Sequence, residues 1–231
     1  MQTFVFIDAS NLFYGFDIEY GWKIDYQLLK RYLERKYQAI SVLYFGGIDI
    51  VIGIQKGDEY VYDYSKNDTV DLDDFIQHLK DVLNKIQNLS VEQRYFVNKL
   101  IKRAKFYQKL QSFGYELSLK PVKHFLDKNG QIQSKANCDV DLTIQVMKNI
   151  NLFDRVIVMS GDGDFLPLYK HLENNGKEVF VISRTSKTAR EVRCHLGFRF
   201  VEIGTIKKQI ELKTIKQKTQ SKLGFSLERS N

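Results

Sequence analysis

Five aspartates stand where the chain could do chemistry. Asp8 ends the apolar run at residues 3–7, and Asp162 and Asp164 follow the run at 156–159 through Ser160-Gly161. Asp139 and Asp141 open a segment with helical spacing. Short apolar runs of this kind read as buried strands. If the strands are parallel, Asp8 lies on the same sheet edge as Asp162 and Asp164. Carboxylates gathered there repel and raise one another's pKa, and a divalent cation relieves the repulsion. Oxygen ligands without His or Cys suit Mg²⁺ or Mn²⁺ rather than Zn²⁺. The candidate metal ligands are therefore Asp8, Asp139, Asp141, Asp162 and Asp164, with Asn11 supplying a neutral amide oxygen or holding a water. Two observations weigh against the full set. An Asp at a strand-to-helix junction also serves as a simple N-cap. Asp139 and Asp141 diverge by about 200° on one helix, so both face the site only if Asp139 precedes it.

These side chains need a scaffold. Residues 3–7, 41–45, 115–119, 156–159, 179–182 and 198–203 read as strands, the second stopped by Gly46-Gly47. Between them, residues 25–36 read as a helix capped by Asp25. Residues 139–150 read as a helix with Val140, Ile144 and Met147 on one face. A further helix buries Phe165, Leu168 and Leu172, with Pro167 tolerated only in its first turn. A short helix near 187–194 precedes the last strand. Strands alternating with helices predict a parallel sheet covered on both faces, whose ligands lie beyond the carboxyl ends of the strands.

Residues 48–90 fit that alternation poorly and read as an insertion or elaborated connection. A hairpin pairs 50–54 with 60–64, where Tyr60, Tyr62 and Tyr64 could stack bases but more simply pack. Phe75, Ile76, Leu79, Val82, Leu83 and Ile86 then form a helical stripe. The next helix starts at a capping box, Ser90-x-x-Gln93. Phe96, Leu100 and Tyr107 share one of its faces; Arg94, Lys102, Lys105 and Lys109 fall in an arc of roughly 80° opposite.

The 231 residues carry a net charge of +7, unevenly spread. Residues 1–90 hold nine basic and fourteen acidic side chains, residues 91–206 nineteen and twelve, and residues 207–231 seven and two. An acidic first third thus precedes a basic middle and a basic tail, which permits a polyanionic partner. With 43% hydrophobic residues the chain can bury a core, and general disorder is excluded. Two cysteines exclude a disulfide framework, and Cys138 reads as a small buried hydrophobe. Four scattered histidines make no zinc spacing. No apolar stretch suits a signal peptide or a membrane span, so a cytoplasmic location is expected.

Three motifs carry a resemblance. Phe6-Ile-Asp8-Ala-Ser-Asn11-Leu, Cys138-Asp139-Val-Asp141-Leu and Val158-Met-Ser160-Gly161-Asp162-Gly163-Asp164-Phe165-Leu-Pro167-Leu resemble those of NYN domains of the LabA-like (DUF88) group, which are similar to PIN nucleases. The resemblance covers most of 1–204, less 48–90, and leaves 205–231 as a basic extension. It implies a PIN-like three-layer α/β/α sandwich with a central, mainly parallel sheet. It further implies an acidic Mg²⁺ or Mn²⁺ site and, where active, metal-dependent endoribonuclease chemistry. By motif, Asp8, Asn11, Asp139, Asp162 and Asp164 carry over as catalytic residues. Asp141 matches less closely, and Gln145 stands where many members have Asp. Beyond the motifs, Ser160, Lys120, Lys123, His124, Arg184, Lys187 and Arg190 follow strands at the same edge and could contact phosphates, the last three otherwise being helix-entry surface; the Arg94/Lys102/Lys105/Lys109 stripe could bind phosphates without reading sequence, or be a solvated helix face. RNA is the expected partner. A catalytically silent RNA-binding protein and a DNA or structure-specific nuclease stay open as alternatives, as does a homodimer.

Overall fold

The computed structural model describes residues 1–13, 16–49, 51–54, 58–61, 70–85, 89–126 and 132–213. In chain order, β1 (Thr3–Asp8) leads into two short helices, α1 (Ala9–Phe13) and α2 (Phe16–Tyr20), then α3 (Tyr26–Tyr37) and β2 (Ala39–Ile48). The hairpin β3 (Val51–Ile54) and β4 (Asp58–Val61) precedes α4 (Leu72–Lys85), α5 (Val91–Ser112) and β5 (Glu116–Pro121). A second hairpin, β6 (Lys123–Leu126) and β7 (Ile132–Lys135), leads to α6 (Asp139–Lys148) and β8 (Arg155–Met159). The chain closes with α7 (Leu166–Asn174), β9 (Glu178–Ser183), α8 (Arg190–Leu196), β10 (Phe200–Glu202) and α9 (Lys207–Ile210).

Six strands form one sheet in the order β10-β9-β8-β1-β2-β5, every neighbouring pair parallel. The expected α/β/α sandwich is therefore what the chain adopts. Its period-two alternation sends side chains to two separate cores. Val5, Ile7, Val42 and Tyr44 meet the helices α3, α4, α5 and α9 on one face. Phe4, Phe6, Val158 and Val181 meet α6, α7 and α8 on the other. The chain runs outward from β1 to β2 and β5, then returns to β8 on the opposite flank of β1. The gap between β1 and β8 is thus the topological switch point, where ligands of open parallel sheets bind.

Local signals set several boundaries. Asp25 caps α3, accepting from the backbone N–H of Gln27 and Leu28 at 3.0 and 3.1 Å. Ser90 and Gln93 complete the expected capping box at the start of α5. Val156–Met159 are fully buried, and Pro167 sits in the first turn of α7.

Other expectations are corrected. Gly46-Gly47 does not stop β2. Both residues pair with β5, and a Cβ on Gly47 would come within 2.7 Å of the Ala136 Cβ, so glycine here marks a close approach. On α6 the buried side chains are Leu142 and Val146, whereas Val140 and Ile144 are 63% and 46% exposed. Of the expected face only Met147 packs, partly buried, against the core beside Leu142 and Val146. The start of the C-terminal extension is also packed: Ile206 and Ile210 are buried, and Glu211 bridges to Ile24. Tyr62, Tyr64 and Ile86 lie outside the described residues. Nothing in the sequence reading anticipated the β6/β7 hairpin.

Tyr107 ties α5 to the sheet. Its hydroxyl donates to the Gly47 carbonyl at 2.6 Å and accepts from Arg103 Nε at 2.9 Å. Tyr107→Phe is expected to cost about 1–2 kcal/mol, measured as a lower urea midpoint at unchanged slope.

Candidate active site at the β1/β8 switch point

The register of β1 and β8 pairs Ile7 with Met159, which leaves Asp8 and Ser160 level with one another at the carboxyl edge. Asp8 is 4% exposed. One of its oxygens accepts from the backbone N–H of Ser10 and Asn11 at 3.1 and 3.2 Å, which caps α1. The other accepts from the Ser160 hydroxyl at 3.1 Å. Asn11 reaches across the gap, its Oδ1 accepting from Gly161 N–H at 2.8 Å. Ser160 in turn accepts from the Asp162 N–H at 3.3 Å, and Asp162 accepts from the Asp164 N–H at 2.9 Å. Both strand ends are thus stitched into one polar network by residues about 150 positions apart in the chain.

Burial holds the Asp8 carboxyl above the usual carboxylate range, and the nearby charge of Asp139 raises it further, against the pull of the N–H and Ser160 hydrogen bonds. Cys138 lies against the same charge. Its thiol is pushed up to about 11, first by burial and then by the Asp8 and Asp141 carboxylates. It is a buried neighbour of the site, and its thiolate is disfavoured.

The aspartates divide by what they touch. Asp8 and Asp139 are close enough to feel each other's charge. Asp162 caps the turn that carries Asp164, and Asp164 is exposed. Asp141 is paired with Lys120 at 2.6 Å, so these two expected site residues neutralise each other. Among the described residues no group of three His, Cys, Asp or Glu side chains forms a ready metal cage. Mg²⁺, however, typically keeps several waters and needs only one or two carboxylates. A buried carboxylate that resists ionisation, with a second carboxylate raising it, fits a hard, partly hydrated cation at Asp8 and Asp139.

Arg184 overturns its expected role. It is 2% exposed, with one guanidinium nitrogen on Glu19 at 3.1 Å and another on the Asn11 carbonyl at 2.8 Å. It cannot meet a phosphate from there; instead it fixes the loop that carries Asn11. Lys187 and Arg190 are exposed beyond β9, and Arg94, Lys102, Lys105 and Lys109 are exposed along α5. Lys123 and His124 belong to β6, but their side chains lie outside the described residues.

Sequence reasoning missed Glu19, Asn137 and Tyr169. Asn137 accepts from the Asp139 N–H at 2.9 Å, and Asn two residues before a helix's first acid is a capping signal that could have been read. Tyr169 is fully buried on α7. Burial raises its phenol's pKa, and the charges of Asp162 and Asp8 raise it further. Its hydroxyl has no hydrogen-bond partner among the described residues. Tyr169→Phe is therefore expected to leave stability unchanged or raise it by about 1 kcal/mol, read as the thermal midpoint.

A doubly wound parallel sheet with an acidic switch point defines the class of α/β protein, and sequence comparison narrows it. Residues 54–203 match the NYN domain family, and the chain belongs to that family. The matched span takes in α4 and begins after β1, so Asp8 and Asn11 lie outside it. The low amplitude and bright protein LabA of Synechococcus elongatus is 31% identical over 108 residues, which cover 46% of this chain and 58% of LabA. A protein of unknown function from Vibrio parahaemolyticus shares the fold, with a TM-score of 0.53 at 18% identity over 91% of this chain and 96% of that one. The T5 5'-exonuclease with bound zinc aligns at a TM-score of 0.40 and 16% identity, over 84% of this chain and 60% of the exonuclease. No helix among the described residues is long and apolar enough to cross a membrane.

Proposed function

We propose that the protein is a divalent-metal-dependent ribonuclease that hydrolyses RNA phosphodiester bonds endonucleolytically in the cytoplasm. The observation that carries this reading is the buried, charge-raised Asp8 at the β1/β8 switch point, joined through Ser160 to the Asp162 turn. Membership of the NYN family supports it. Asp8 and Asp139 would hold Mg²⁺ or Mn²⁺, with Asp162 and Asp164 at the rim. Bound there, the ion would polarise the scissile phosphate and lower the pKa of its water. The chain's own residues do the positioning. Ser160 and the Ser10 and Asn11 N–H groups hold Asp8 in one rotamer, and Asn11 clamps the β8 turn so that Asp162 faces the same edge. The exposed cations beyond β9 and along α5 would take the flanking phosphates.

One observation favours a second reading, a catalytically silent nucleic-acid-binding protein: Asp141 is paired with Lys120, and no third acid converges on Asp8 and Asp139 among the described residues. Labelled single-stranded RNA, structured RNA and DNA, incubated with Mn²⁺, Mg²⁺ or EDTA beside an Asp162→Asn control, separate the readings. Cleavage of RNA that needs both metal and Asp162 supports the ribonuclease. Binding without such cleavage favours the silent protein, and cleavage of DNA alone replaces RNA by DNA as substrate.

A further inference from the structure

On the face of the sheet opposite Asp8, a cleft of about 1110 Å³ opens between α5 and the α1–α3 segment, with the end of β2 as its floor. That is larger than most small-molecule sites. One wall is cationic. Lys99, Lys102, Arg103 and Lys109 line it from α5, and Lys99 and Lys102 are exposed with no ion pair or hydrogen bond among the described residues. Aromatic rings bridge α5 and the α1–α3 side of the cleft. Phe13, Tyr26 and Phe106 form a continuous run, the Phe13–Tyr26 and Tyr26–Phe106 rings each meeting edge to face with centroids 5.1 Å apart. Each ring is only partly buried, so part of it faces the cleft. Three acids also line the cleft, Asp17, Asp25 and Asp49, and the Asp25 carboxylate is taken up by the α3 N-terminus.

The cleft lies along the end of β2, the strand that pairs with β1 and Asp8. Its floor includes Gly47 and Ile48. Gly47 lies two residues beyond Phe45, the register partner of Asp8, and abuts Ala136 on the segment that enters α6 and Asp139.

We propose that this cleft binds single-stranded nucleic acid and guides it over the β2 end to the Asp8 edge. Free lysines along α5 suit backbone phosphates, while the partly exposed rings beside and opposite them suit base faces, which only an unpaired strand offers. A duplex hides those faces. The inference rests on the nuclease reading above and names the form of substrate the site receives.

Binding of a labelled 12-nucleotide oligouridylate, followed by fluorescence anisotropy in EDTA over a range of salt, tests it with the full chain. Lys99→Glu/Lys102→Glu is expected to weaken binding at least about tenfold and to flatten the log–log salt slope by about 1.4, two cations at roughly 0.7 each. Phe106→Leu is expected to weaken it about fivefold or more, with little change in slope. Lys80→Glu/Lys148→Glu makes the same change in net charge on exposed positions outside the cleft, and is expected to bind like the parent. Should the Glu pair fail to fold by circular dichroism, Lys99→Gln/Lys102→Gln removes the same two cations and is expected to flatten the slope by about the same 1.4. Parental affinity in the folded cleft variants, an equal loss in the Lys80/Lys148 control, or tighter binding of duplex than of single strand overturns the cleft. In those cases Asp8-dependent cleavage would still stand. If the parent binds no nucleic acid of any kind, the nuclease reading falls with it.

Discussion

Asp8→Asn is expected to lower metal-dependent cleavage by at least about 10²-fold while leaving the metal-free protein no less stable than the parent. The loss follows from removing a charge that a cation needs, since a bound metal supplies several kcal/mol of transition-state stabilisation and each 1.36 kcal/mol is tenfold in rate. The retained stability follows from burial. The folded protein holds the Asp8 proton more tightly than the unfolded chain does, because its carboxyl is 4% exposed and faces Asp139. Its contribution to stability is therefore complete below the ordinary carboxylate pKa. It is lost as pH rises through the raised folded value, where a charge must be kept in a poorly solvated place. Asparagine carries no such charge, and its Oδ1 can still accept from Ser10 and Asn11. Thermal melts in EDTA across the acid-to-neutral range should show the parent losing stability relative to Asp8→Asn as pH rises. A variant that melts well below the parent at neutral pH, or that still cleaves at the parental rate, would count against both the electrostatic account and the site. The expected pattern is the usual trade of stability for function at a buried polar site.

Gly161→Ala is the second large effect. Gly161 stands just past β8, donating its N–H to Asn11 and accepting at its carbonyl from Ala189 N–H at 3.0 Å. An added Cβ would drive into the Lys187 carbonyl and lie 2.7 Å from the Thr188 hydroxyl oxygen. The first obstacle is backbone and cannot rotate away, so the turn itself must move. Overpacking of this kind costs about 1–3 kcal/mol. In a chain of this size that is a melting point lower by roughly 2–4 °C per kcal/mol. The displaced turn also shifts Asn11 and Asp162 relative to Asp8, and a misplacement near 1 Å is worth about 10²-fold in rate. A parental melting point and parental cleavage together would show that the turn tolerates a side chain.

Much of the scaffold was legible because it depends on local pattern. Apolar runs, the Asp25 cap and the Ser90/Gln93 capping box specify elements without reference to distant residues, and alternation of strands with helices specifies a covered parallel sheet. What was not legible depends on which elements meet. Lys120 and Asp141 look like two site residues until β5 and α6 are placed side by side. Arg184 follows a strand like its neighbours Lys187 and Arg190, and arginine is ordinarily exposed. Only the packing of Glu19 and the Asn11 loop over it shows that it points inward. Val140 and Ile144 have the right period but the wrong face, since a helix with two apolar stripes leaves the choice to its neighbours. Gly46-Gly47 reads as punctuation because a close approach between β2 and the chain around Ala136 has no signature in β2 alone. The edge itself was legible from strand ends and carboxylates; the division of labour among those carboxylates was not.

The pairing of β1 with β8 has a consequence for how the protein comes into being. The Ser160 that completes the Asp8 network is made 152 positions after Asp8. At about 5–20 residues per second, that interval is roughly 8–30 s of synthesis. Once β2 is made β1 can pair with it, but until β8 follows the other flank of β1 has no partner, and Asp8 has neither Ser160 nor the Asp162 turn beside it. The order of the strands therefore completes the Asp8 edge only after β8 and the turn beyond it have been made.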